Sequence, residues 1–219
     1  MQRRFFSLGL MSGLTAALAA TSPMAHAIEE PDFELERRLG DGAAIELRRY
    51  APYTVAEVTV PGPAEEAGNR AFRTLAGYIF GGNRGERKLA MTAPVTQAPA
   101  APAPTKLAMT APVTQAAAGD GFVVQFVLPK GVTPENAPLP NDASIRIRQV
   151  AARRVAVLRY SGFWSEANYT ENLAKLTTSL RAAGLAWVGE PVLSRYDPPF
   201  TPWFLRRNEI WLDLAAPAG

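Results

Sequence analysis

The sequence predicts an α+β fold built on antiparallel sheet, and three observations predict it. Short alternations of apolar and polar residues recur along the chain, the mark of half-buried strands. Two long stretches carry the i, i+3, i+4, i+7 apolar spacing of a helix, and each follows a strand and a glycine turn. Strands greatly outnumber helices, and the connections read as hairpins rather than crossovers.

In the first half of the chain, Ala56, Val58 and Val60 alternate with Glu57 and Thr59 as a half-buried strand. Gly62-Pro63 opens a helix, with the proline at a position where its missing N–H costs nothing. Glu65 and Glu66 fall in the first turn, where the helix dipole favours acids. Phe72, Leu75, Ala76 and Ile79 form its apolar stripe, and Gly81-Gly82 ends it. In the second half Ala156, Leu158 and Tyr160 take the buried face of a strand. Ser165 caps a second helix, lined by Tyr169, Leu173, Leu176 and Leu180 and stopped by Gly184. Phe122–Leu128 and Glu209–Leu214 are two further strands.

Two repeats organise these elements. Shifting the chain by 100 residues lays Ile45 on Ile145, Arg48 on Arg148, Val55 on Val155, Gly62 on Gly162 and Glu66 on Glu166, without gaps. Two related halves, about 33–128 and 140–214, packed about a pseudo-two-fold axis, are the expectation. A shorter repeat is literal: Lys88–Ala98 recurs letter for letter at Lys106–Ala116, across a Pro/Ala spacer. It reads as two strands joined by a surface loop, with Pro94 and Pro112 at an edge, a bulge or a strand end.

The ends and the composition set limits. Arg3-Arg4, an apolar run from Phe5 to Ala20 and Ala25-His26-Ala27 have the order of a secretory signal, so residues 1–27 are expected to be removed, leaving a domain at 28–219. Arg3-Arg4-x-Phe6 also resembles a twin-arginine export signal. The expected location is therefore periplasmic or secreted, with no stable membrane insertion after cleavage. Loss of Arg3 and Arg4 brings the formal charge of +3 close to neutral, which leaves no broad basic field for nucleic acid or an anionic membrane. There is no cysteine, which excludes disulfides, thiolate metal sites and cysteine nucleophiles. The one histidine is His26, inside the expected signal, so a domain from Ile28 onward has no imidazole for a Ser-His-Asp triad or for a metal.

Several separate motifs resemble, in order, the SOUL haem-binding proteins. These are Arg49-Tyr50-x-Pro52-Tyr53, Tyr78-Ile-Phe-Gly-Gly-Asn83 followed by Lys88-Leu-Ala-Met-Thr-Ala-Pro-Val95, Val157–Gly162, and Tyr196-Asp-Pro-Pro199 with Arg206-Arg-Asn-Glu-Ile-Trp211. The resemblance covers Phe33 to Leu214. It implies a distorted antiparallel β-barrel of two four-stranded sheets flanked by two helices, an architecture shared with effector domains that take flat apolar molecules in a cleft between the halves. It also implies binding of haem or another tetrapyrrole between the first helix and the loop before the last strand. Carried over by motif, Asn69, Phe72, Leu75, Ala76 and Ile79 make one wall, and Thr201, Pro202, Trp203 and Phe204 the other. Arg73 or Arg206 would meet the ligand's carboxylates. With no histidine, an iron ligand would have to be a tyrosine or methionine such as Tyr78, Met91 or Met109; binding is expected through apolar contact and edge charge, or through such a weak ligand, with no metal site assigned. Two other readings accompany this one. Glu209 in an apolar cleft would have a raised pKa and serve as general acid or base in a hydrolase, its structural alternative being an ion pair with Arg206 or Arg207. Or the chain is a non-catalytic interaction protein of the envelope.

Overall fold

The computed structural model describes residues 29–40, 45–99, 121–197 and 200–216. The expected signal and the second copy of the short repeat, with Met109 and Pro112, lie outside them. In chain order the elements are β1 (Phe33–Leu39), β2 (Ile45–Tyr50), β3 (Tyr53–Pro61), α1 (Ala64–Ile79), β4 (Val95–Pro99), β5 (Gly121–Val127), β6 (Arg146–Val150), β7 (Arg153–Tyr160), α2 (Glu166–Ala182), β8 (Trp187–Arg195) and β9 (Asn208–Leu214). A single 3-10 turn, Trp203–Leu205, precedes β9.

All nine strands join one curled antiparallel sheet, ordered β1-β2-β7-β9-β8-β4-β5-β3-β6. The expected division into two sheets is replaced by this continuous one because β4 pairs with β8, Val95 opposite Arg195 and Gln97 opposite Leu193. β1 and β8 escaped the sequence reading. β1 alternates little apolar surface along Phe-Glu-Leu-Glu-Arg-Arg-Leu and sits at the sheet edge. β8 carries Gly189 and Pro191, and its pairing with β9 is irregular between Val188 and Val192.

Both helices form where the sequence places them. Ser165 Oγ accepts from the Asn168 N–H (3.3 Å), the cap of α2. Pro63 stands one position earlier than expected, as the residue flanking α1. At the far end of α1 the Gly82 N–H reaches back to the Gly77 carbonyl (2.8 Å), a closure that needs Gly81 at φ +115°. α1 packs on β3 and β5 and buries Ala71, Leu75, Tyr78 and Ile79 with Val58, Val124 and Phe126. α2 packs on β7 and β9 and buries Leu176 and Leu180 with Ile45, Leu158, Ile210 and Leu212. Tyr50, Tyr53, Val55, Val127, Val155, Val157 and Trp211 fill the inside of the curl. Leu180 is fully buried, so Leu180→Ala is expected to cost about 2–5 kcal/mol of stability, measured by urea denaturation.

The first copy of the short repeat forms strand only from Val95 onward, after a cis Ala93-Pro94 bond. Met91, expected in a packed strand, is 40% exposed in an irregular segment.

Candidate functional site

Strand register builds the site. Phe126 of β5 lies opposite Val95, Val95 opposite Arg195, Arg195 opposite Asn208, and Asn208 opposite Tyr160 of β7. A second row runs Val124, Gln97, Leu193, Ile210, Leu158. Directly opposed residues share a face. Phe126 and Val124 lie under α1, and Ile210 and Leu158 under α2. Val95, Gln97, Leu193 and Arg195 are therefore the floor of a groove on the helix-bearing face, over β4 and β8, between the two helices.

α1 forms one wall. A Cβ on Gly68 would stand 3.1 Å from Gln97 Oε1 and 3.5 Å from Arg195 Nη1, so the helix backbone itself closes on the floor. One turn on, Phe72 meets Phe126 edge-on, centroids 5.4 Å apart, and remains 40% exposed. The other wall is the segment entering α2 with the loop before β9. The Trp164 ring lies beneath the guanidinium carbons of Arg195 (4.7 Å) and Arg206 (4.4 Å), and its indole N–H donates to Asn208 Oδ1 (2.8 Å). Phe163 stacks on Trp203 at 5.2 Å with 21° between planes, and the Gly162 N–H donates to the Trp203 carbonyl. Arg206 Nε donates to the Thr201 carbonyl (2.8 Å), which folds the loop back on itself. Burial raises the phenol of Tyr160, at the end of the first row, to about 12 and so keeps it neutral.

The structure thus divides the expected wall residues. Phe72 borders the groove, and Ala76 is half-buried against the core beneath it. Leu75 and Ile79 are core residues, 0% and 2% exposed, because they lie on the side of the stripe turned onto β3 and β5. Asn69 and Arg73 are exposed, one position round from Gly68 and Phe72. Thr201 is half-buried through its carbonyl bond, Pro202 opens the 3-10 turn, and Trp203 and Phe204 are 48% and 58% exposed. Sequence reasoning missed Gly68, Gln97, Phe163, Trp164 and Arg195. Gly68 had a signal: a glycine inside an amphipathic helix costs up to about 1 kcal/mol relative to alanine and asks for a packing reason.

Glu209 is not in this groove. Strand alternation turns it to the inside of the curl, with Trp211, while Asn208 and Ile210 face the helices. Its fully buried carboxylate accepts from Arg48 Nη1 and Nη2 (both 3.1 Å), Arg207 Nε (3.0 Å) and Nη2 (2.9 Å), the Tyr196 hydroxyl (2.7 Å) and the Trp211 indole (2.8 Å). Burial alone would raise its pKa, but the two arginines outweigh it and hold the carboxyl below its ordinary range. The expected raised value is thereby reversed, and the ion pair forms with Arg207 and Arg48. Tyr78, a suggested iron ligand, is on the buried face of α1 and donates its hydroxyl to the Pro138 carbonyl (2.9 Å). Inside the curl Tyr50 packs on Trp211 (4.9 Å) and Tyr53 (6.3 Å). A cavity of about 270 Å³ beside Tyr53, Thr92 and Lys130 is below the size that takes drug-sized ligands.

Among known proteins, the family model of the SOUL heme-binding protein matches residues 28–213. The chain belongs to the SOUL heme-binding protein family. Curated SOUL relatives include heme-binding protein 1 of Sus scrofa, 29% identical over 150 residues, 68% of this chain and 72% of that one. Heme-binding protein 1 of Xenopus tropicalis is 28% identical over 174 residues, 78% and 84% of the two chains. Among solved structures, the EcmrR C-terminal domain shares the fold at TM-score 0.54 and 12% identity, over 78% of this chain and 96% of that one. A hydrolase from Listeria innocua shares it at TM-score 0.53 and 13% identity, over 78% and 91%. At these identities the likeness speaks for the fold of this SOUL protein alone.

Proposed function

We propose that this SOUL protein binds haem or a related flat tetrapyrrole in the groove between α1 and the loop before β9, without histidine ligation, in the cell envelope. The observation that carries this reading is the pairing of exposed aromatic rims with a cationic floor: Phe72 on one side, Phe163 and Trp203 on the other, Arg195 and Arg206 held on Trp164 between them. A porphyrin needs that combination, apolar surface for its faces and charge-assisted donors for its edge carboxylates. The relatives named as heme-binding proteins support it. So does the order of motifs along the chain. The donor set suits the organic ring rather than a bound iron, since His26 lies in the expected signal and the Tyr78 hydroxyl is already engaged. Export rests on the order of charge, apolar run and small residues at 1–27.

The role is binding rather than catalysis: Glu209 is an ionised carboxylate whose oxygens are occupied by donors on the face away from the groove. We also read the molecule as two related halves. Support comes from register: Tyr50 pairs with Arg153 and Tyr53 with Val150, the same pairing moved 100 residues along each strand in opposite senses.

Titration of the purified protein with haemin and with iron-free protoporphyrin, followed by absorbance and tryptophan quenching, tests this. The two affinities are expected within about threefold of each other, and Trp203→Ala is expected to weaken both about tenfold, the loss of one aromatic contact. A preference for haemin above about thirtyfold, some 2 kcal/mol, would reveal an iron ligand and overturn the reading.

A further inference from the structure

The loop before β9 exposes more apolar surface than the groove can use. Phe200 is 85% exposed, Leu205 64%, Phe204 58% and Trp203 48%. Successive side chains of a 3-10 turn point about 120° apart, so Trp203, Phe204 and Leu205 cannot all face one cleft. Trp203 is engaged by Phe163, leaving Phe204 edge-on to it at 86° and Leu205 directed elsewhere. The tip is rigid in construction: Pro202 opens the turn, the Leu205 N–H bonds the Pro202 carbonyl (2.9 Å), and Arg206 clasps Thr201. An ordered cluster of large apolar groups in water marks an interaction site. Arg206 follows Leu205 directly, and its guanidinium lies over the Trp164 ring (4.4 Å).

We propose that this loop is a bilayer-docking tip: Phe200, Phe204 and Leu205 enter the headgroup–acyl boundary of a phospholipid membrane, while Arg206 lies at the level of the lipid phosphates. Tryptophan, phenylalanine and leucine ahead of arginines is the composition that settles at that boundary. The near-neutral charge of residues 28–219 gives no long-range attraction, so docking is led by apolar burial and depends only weakly on salt. None of the helices among the described residues is long and apolar enough to cross a membrane. The same loop is a wall of the groove, which lets an apolar ligand pass between lipid and protein without crossing open water. That last clause rests on the proposed ligand; the docking does not.

The test compares the processed protein, without the apolar leader expected at residues 1–27, with its Phe200→Ser/Leu205→Ser variant. Co-sedimentation with phosphatidylcholine/phosphatidylglycerol vesicles (7:3), without haemin, is expected to show at least tenfold weaker partition for the variant, the loss of two buried apolar side chains. The partition of the unmodified chain should change less than about threefold across a tenfold rise in salt. Haemin affinity should be equal in the two proteins, which separates failure of docking from failure of the ligand site. Equal partition of both proteins would overturn the proposal. So would light scattering that shows the patch buried in a dimer of the unmodified chain, lost in the variant, with no loop-dependent vesicle binding.

Discussion

Glu209→Gln is expected to destabilise the fold by about 3–5 kcal/mol, the cost of breaking a buried ion pair from one side. The carboxylate sits at the centre of a polar knot inside the curl of the sheet. Arg48, itself 3% exposed, forks onto both its oxygens, and Arg207, two residues before it in the chain, adds a second guanidinium. Glutamine keeps the volume but returns only one acceptor and brings N–H groups to face the Arg48, Arg207, Tyr196 and Trp211 donors. The loss does not reach the cost of two isolated charges, because Arg48 also meets Glu46 (2.7 Å) and Arg207 also meets Glu30 (2.7 Å). pH adds a second, independent signature. The folded pKa of Glu209 lies below its ordinary 4.5, so its contribution is fully present above that ordinary value and is lost as pH falls through the lower folded value. The stability gap between the two proteins should therefore be constant at neutral pH and close under strong acid. Urea denaturation from pH 7 down to pH 3 measures it. A variant as stable as the parent at neutral pH would show that the knot contributes nothing net.

Gly68→Leu is expected to abolish ligand binding at concentrations where the unsubstituted chain is saturated, a loss of at least about thirtyfold, while the protein stays folded. Glycine-to-leucine in a helix interior gains some propensity, about 0.5–1 kcal/mol. The new side chain has nowhere to go but the groove: a Cβ alone would already meet Gln97 Oε1 at 3.1 Å. That neighbour is the far end of a flexible side chain and moves, so the backbone does not. The added branches would occupy the space between Phe72, Val95 and Arg195. Gly68→Ala is the internal control, with helix stability raised and binding reduced only slightly. Circular dichroism and haemin titration of both variants provide the readout, and unchanged haemin affinity in Gly68→Leu would place the ligand elsewhere.

What could be read without coordinates was what depends on local periodicity. The stripes of α1 and α2, the caps at Ser165 and the glycines that end both helices follow from spacing alone, because they involve neighbours within one turn. Ordered motifs also carried the family membership, and composition excluded cysteine chemistry. The chain around Glu209 shows where this stops. Its position in a strand was clear, yet which side of the sheet it faces depends on the register of β9 against β7 and β8, and a shift of one residue reverses it. The same holds for Leu75 and Ile79 against Phe72: all lie on one apolar stripe, but only packing onto β3 and β5 decides which part is core and which borders a groove.

Arg195, Trp164 and Gly68 are separated by many residues and meet only because β4 and β8 join the two halves into one sheet. The sequence by itself determined the elements, the class and the family, since these are written in short-range pattern. The tertiary structure alone decided that the acid is a structural knot and the groove lies on the opposite face, because both depend on long-range strand pairing that no local signal encodes.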